Sequence, residues 1–67
     1  MITLTLNGER RQFAAPLPLS QLIVELGLAG KRIAIERNGE IVPRSQLAEH
    51  SIAEGDTLEI VVAVGGG

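Results

Sequence analysis

The chain has 67 residues, 45% of them hydrophobic, with one Phe and no Trp or Tyr, so it makes one small domain with an aliphatic core. It has no Cys, which excludes a disulfide, a thiol nucleophile, a Cys metal site and a Cys-based sulfur carrier. The formal net charge is −2, from six basic and eight acidic side chains that form no basic stripe and have no stacking aromatics among them, a pattern that argues against nucleic-acid binding.

Ile2, Leu4 and Leu6 alternate with Thr3 and Thr5, the period of a half-buried strand. Asn7-Gly8 then signals a two-residue type I′ turn, which needs positive φ at both positions. The chain returns as a second strand, Glu9 to Phe13. This register sets Phe13 opposite Ile2 on the core side. Arg11 falls opposite Leu4, so it belongs at the sheet edge with its head in water. Ala14 to Pro18 is a connection, its two prolines favouring extended backbone.

Leu19, Leu22, Ile23 and Leu26 fall at i, i+3, i+4 and i+7, which predicts a helix over 19–26 with one apolar stripe. Gly27 is its stop. Its start lacks the usual side-chain cap: Pro18 or Leu19 stands where Ser or Thr is expected, and Ser20 comes one residue late. After a loop, Ile33 and Ile35 mark a third strand. Asn38-Gly39 gives a second hairpin signal, and Glu40 to Val42 a short fourth strand ended by Pro43. Arg44 to Ile52 reads as a helical turn or ordered loop anchored by Leu47 and Ile52. Glu54-Gly55-Asp56 is a tight turn into a last strand, Thr57 to Ala63. There Leu58, Ile60 and Val62 should face the core, while Glu59, Val61 and Ala63 face out.

Hairpin, helix, hairpin, loop and strand make an α+β chain in which one main helix lies on one face of a mixed four- to five-stranded sheet. If the last strand joins the first, it does so in parallel. That is the β-grasp arrangement, expected over residues 1–63, and it leaves 64–67 as a flexible tail leaving a central strand. The tail is Val64-Gly65-Gly66-Gly67. Glycines give it no side chains and little fixed shape, so it makes a thin thread ending in the carboxylate of Gly67.

No side-chain catalytic site assembles from these residues. His50 is the only histidine, flanked by Glu49 and Ser51, and reads as a surface, structural residue without a nucleophile, base and orienter around it. Glu54 and Asp56 are too few for a metal site, so no metal and no bound cofactor are expected. Reactivity falls to the Gly67 carboxylate, which needs activation, for example as an acyl-adenylate made from ATP, before a sulfur donor can convert it to a thiocarboxylate. Ile41, opposite Glu36 across the second hairpin, points outward together with Val61 and Ala63. These three are the candidate docking surface for a partner.

Ala34-Ile35-Glu36-Arg37-Asn38-Gly39-Glu40-Ile41-Val42-Pro43-Arg44-Ser45 and the ending Ala63-Val64-Gly65-Gly66-Gly67 resemble the sulfur carriers of thiamine biosynthesis, the ubiquitin-like ThiS family. Leu6-Asn7-Gly8-Glu9 and the helix end from Leu22 to Leu28 fit as well, so the resemblance covers the whole chain. It implies that an E1-like adenylyltransferase uses ATP to adenylate Gly67 and that a sulfurtransferase system then supplies sulfur. Thiazole synthase takes that sulfur to build the thiazole of thiamine. The chain is then a carrier and co-substrate, not an enzyme. Gly66 and Gly67 match the family's terminal pair; Gly65 is an extra glycine, and with Val64 these residues form the stretch that enzymes recognise. The small subunit of molybdopterin synthase, which shares fold and tail, is the alternative, though Val42-Pro43-Arg44 fits the thiamine carrier better. A β-grasp interaction domain without covalent chemistry is a third reading. With no signal peptide and no apolar run long enough to span a bilayer, a cytoplasmic protein without membrane partners is expected.

Overall fold

β1 (Ile2–Leu6) and β2 (Glu9–Phe13) form the first hairpin in the computed structural model, which describes residues 1–63. Ile2 pairs with Phe13 and Leu4 with Arg11, the register that a two-residue turn dictates. Asn7 and Gly8 both have positive φ, 49° and 83°, as a type I′ turn requires. Arg11 is exposed at the sheet edge, with its guanidinium 5.6 Å from the centre of the Phe13 ring.

α1 (Leu19–Glu25) buries Leu19 and Leu22 completely. Ile23 and Leu26 are partly buried against the same core, and Leu26 serves as the C-cap. The end is a Schellman arrangement: Leu28 N–H donates to Ile23 C=O at 2.8 Å and Gly27 N–H to Val24 C=O at 3.0 Å, with Gly27 at φ 75°. The uncapped start has a tertiary solution. Leu19 N–H donates to His50 C=O at 2.7 Å and Ser20 N–H to Leu47 C=O at 3.2 Å. Backbone carbonyls of a distant loop thus satisfy two of the helix donors that a Ser or Thr cap would help to satisfy.

β3 (Ile33–Arg37) and β4 (Glu40–Val42) make the second hairpin, again through a positive-φ asparagine, Asn38 at 51°. A short 3-10 turn, Arg44–Gln46, follows, and Leu47 and Ile52 are buried behind it. β5 (Thr57–Val62) completes a five-stranded sheet in the order β2-β1-β5-β3-β4. It runs parallel to β1 through Thr5↔Thr57 and Leu6↔Leu58, and antiparallel to β3 from Arg37↔Leu58 to Ile33↔Val62.

The core is Leu4, Leu6, Phe13, Leu17, Leu19, Leu22, Ile35, Val42, Leu47, Ile52, Leu58 and Ile60. Leu17, in the proline-flanked connection, is a core member that its setting did not announce. It is held because its carbonyl accepts the Ile52 N–H at 2.9 Å. Val62 departs from the alternation: it lies on the inner side but is 40% exposed, because it closes β5 past the buried run of Leu58 and Ile60.

Candidate functional site

β5 is the last strand among the described residues, and two strands flank its first part. Residues 57, 59 and 61 face β3, and Ala63 N–H continues the ladder to Arg32 C=O at 2.8 Å. The backbone groups of 58 and 60 face β1. Asn7 N–H donates to Leu58 C=O at 2.9 Å. Beyond Leu6 the first strand turns away, and the Asn7 side chain takes its place. Its Oδ1 accepts the Ile60 N–H at 2.8 Å, and its Nδ2 donates to Ile60 C=O at 3.2 Å.

A second asparagine braces the other end of β5. Asn38 Oδ1 accepts the Thr57 N–H at 2.9 Å and its Nδ2 donates to Asp56 Oδ1 at 3.1 Å. Asp56, expected only as a turn residue, is buried. Its Oδ2 accepts the Ala53 N–H at 2.8 Å and lies 3.1 Å from Arg37 Nε. A buried carboxylate is tolerated when it is paired and hydrogen-bonded in this way. The signal was present: alternation from Ile33 and Ile35 puts Arg37 on the inner side, where a cation calls for a partner. His50 is half-buried, its Nδ1 3.4 Å from Arg37 Nη1. With its carbonyl on the helix start it serves the structure, but it is half-buried where a surface position was expected.

Ile41 and Val61 stand on the outer sheet face, 65% and 62% exposed. Ile41 is opposite Glu36, Glu36 opposite Glu59, and Val61 opposite Ala34. Strand spacing and rise put the Ile41 and Val61 backbones roughly 12 Å apart, with Ala34 and Glu36 between them. Ala63 is exposed at the end of the same face. The face therefore offers separated aliphatic contacts around a Glu36–Glu59 carboxylate pair, not a continuous apolar surface. Val64, Gly65, Gly66 and Gly67, the tail named from the sequence, lie outside the described residues. Among the described residues no helix is long and apolar enough to cross a membrane.

The sequence model of the ThiS family matches residues 4–67, a span that includes the glycine end. A thiazole synthase of Paramagnetospirillum magneticum is 47% identical over 64 residues, 96% of this chain. The chain spans 20% of that protein and 19% of a similar thiazole synthase from Magnetococcus marinus. The sulfur carrier protein ThiS of Escherichia coli is 31% identical over 61 residues, covering 91% of this chain and 92% of that one. Among solved structures, the thiamine biosynthesis protein ThiS of Geobacter metallireducens superposes with a TM-score of 0.83 at 29% identity, over 98% of this chain and all of that one.

Proposed function

This chain belongs to the ThiS family of ubiquitin-like β-grasp proteins, and on that footing we propose that it carries sulfur for thiamine biosynthesis on the carboxylate of Gly67. An E1-like adenylyltransferase attacks the α-phosphate of ATP with that carboxylate, releasing pyrophosphate and leaving an acyl-adenylate. A sulfur donor system then displaces AMP and leaves a thiocarboxylate. The chain supplies the attacking carboxylate, a docking surface and a thread; the nucleotide site and the sulfur nucleophile of the second step belong to the enzymes. Gly65 and Gly66 let the thread enter a narrow channel, since a Cβ would widen it at each position, and Val64 before them completes the stretch that the enzymes recognise.

The observation that carries this reading is the family match running to the terminal glycine. The fold supports it: the tail follows a strand paired with β3 along its length and with β1 over its first part, and pinned by Asn7 and Asn38, so a braced strand precedes the glycines. Thiazole synthase as the acceptor is supported by the two thiazole synthases that contain a stretch similar to over nine-tenths of this chain. Ile41, Val61 and Ala63 are the proposed contacts for these enzymes, exposed on the outer sheet face, Ile41 on the edge strand β4 and the other two on and just past β5, which leads to the tail. Incubation with ATP, the adenylyltransferase and a sulfur source tests the reading by intact mass. The expected product has one oxygen replaced by sulfur, located by fragmentation on Gly67. A mass unchanged under conditions that activate an authentic ThiS protein would contradict it.

A further inference from the structure

The Asn7-Gly8 dipeptide accounts for a turn, but the turn leaves the Asn7 carboxamide free to do something else. A type I′ turn requires positive φ at this position, and Gly or Asp would meet that need nearly as well. What the carboxamide does is specific. β1 and β5 share only two residue pairs, Thr5↔Thr57 and Leu6↔Leu58. At Ile60 the strand that should continue the ladder has already turned back. Asn7 Oδ1 and Nδ2 take both the N–H and the C=O of Ile60, as a peptide group of a neighbouring strand would. This is the last side-chain hydrogen bond to β5 among the described residues. After it, Val61 and Ala63 are held through β3 alone.

We propose that Asn7 is a positioning residue for the carrier reaction: its carboxamide replaces the missing rung of β1 and fixes the direction in which the chain leaves the sheet toward Gly67. The inference rests on the carrier reading above. Ile60 lies seven positions before Gly67, so the clamp sets where the tail starts relative to the docking face, and a displaced start misplaces the reacting carboxylate for part of the time. Displacements of about 1 Å at a reacting atom can cost on the order of a hundredfold in rate.

The test compares the parent with three variants. Asn7→Gly keeps the positive-φ turn and removes the clamp. Asn7→Asp keeps an acceptor for the Ile60 N–H but sets a second oxygen against the Ile60 carbonyl. Leu47→Val loosens the core beneath the 3-10 turn, away from the clamp, and serves as a control for lost stability. Each is assayed for ATP-dependent adenylation by the E1-like adenylyltransferase and for amide exchange by NMR. In Asn7→Gly the Ile60 amide should lose protection while the amides of 59 and 61, paired with β3, keep theirs. Its kcat should fall about ten- to a hundredfold with KM unchanged, because the outer face is intact. Asn7→Asp should fall between Asn7→Gly and the parent, and Leu47→Val should keep the parental kcat. An Asn7→Gly protein with parental kcat, or a Leu47→Val protein with an equal loss, overturns the inference and leaves the carrier reading standing. A parent that is not adenylated at all overturns both.

Discussion

Asp56→Ala is the sharpest perturbation of the scaffold that supports the tail. The side chain is 6% exposed and serves three donors: Ala53 N–H, Asn38 Nδ2 and Arg37 Nε. Truncation leaves the first two without an acceptor. A buried donor left unpaired costs about 1–3 kcal/mol, and because Ala53 and Asn38 are exposed residues with partly buried bonds the lower end, about 1 kcal/mol, applies to each. Arg37 loses its carboxylate too, but its side chain is 23% exposed, so water offsets part of that loss. Taken together the expected cost is about 3 kcal/mol. A chain of this size has a total stability of only about 3–10 kcal/mol, so the melting point should drop by roughly 12–24 °C. Asp56→Asn keeps the volume and one acceptor. It should cost less, about 1–2 kcal/mol, because its amide must face either Asn38 Nδ2 or the Ala53 and Arg37 donors. With no Trp or Tyr in the chain, far-UV circular dichroism during urea and thermal unfolding is the suitable probe. A double-mutant cycle with Arg37→Met should return a coupling of about 1–2 kcal/mol. If Asp56→Ala costs under about 0.5 kcal/mol and the coupling is nil, this network does not hold the entry to β5 and the reasoning fails.

Ile41→Asp or Val61→Asp should leave the fold intact at a cost of about 1 kcal/mol, since both are surface positions but Asp is a poor strand residue and at position 41 it faces Glu36. Each should nonetheless weaken binding to the adenylyltransferase by roughly tenfold or more, measured by titration calorimetry; unchanged affinity in both would remove the docking surface. Because the two lie apart on the face, their losses should add. Gly66→Ala and deletion of Gly67 should both melt like the parent. Gly66→Ala should retain part of the adenylation rate, while the deletion, whose carboxylate stops one residue short of the nucleotide, should form no adenylate by mass spectrometry.

Period-two alternation, the two Asn-Gly turns and the helical stripe were enough to place every strand, the helix and the register of the first hairpin. Those features are local, and each residue type has one dominant reason for its position. The features that were not legible are the ones made between distant segments. The helix start looked uncapped because its cap is the backbone of residues 47 and 50, which no side-chain pattern announces. Leu17 looked like part of a linker because proline neighbours mark connections, yet its carbonyl is stitched to Ile52. Asn7 and Asn38 were readable as turn residues but not as braces on β5, since one side chain satisfied the turn argument and nothing local required a second role. The outer positions of Ile41, Val61 and Ala63 followed from pairing parity alone. Parity did not reveal that Glu36 faces Glu59 and separates the aliphatic contacts.

The central claim is that the Gly67 carboxylate is the group that carries sulfur. Protein ligated with a C-terminal amide on Gly67 keeps the length, the glycines and the docking face and lacks only the reacting oxygen. It is incubated beside the unmodified chain with ATP, the adenylyltransferase and the sulfur source, and both are read by intact mass. The unmodified chain should exchange one oxygen for sulfur, and the amidated chain should keep its mass while melting and binding the enzyme like the parent. Sulfur acquired by the amidated chain would place the carrier atom elsewhere and contradict the account.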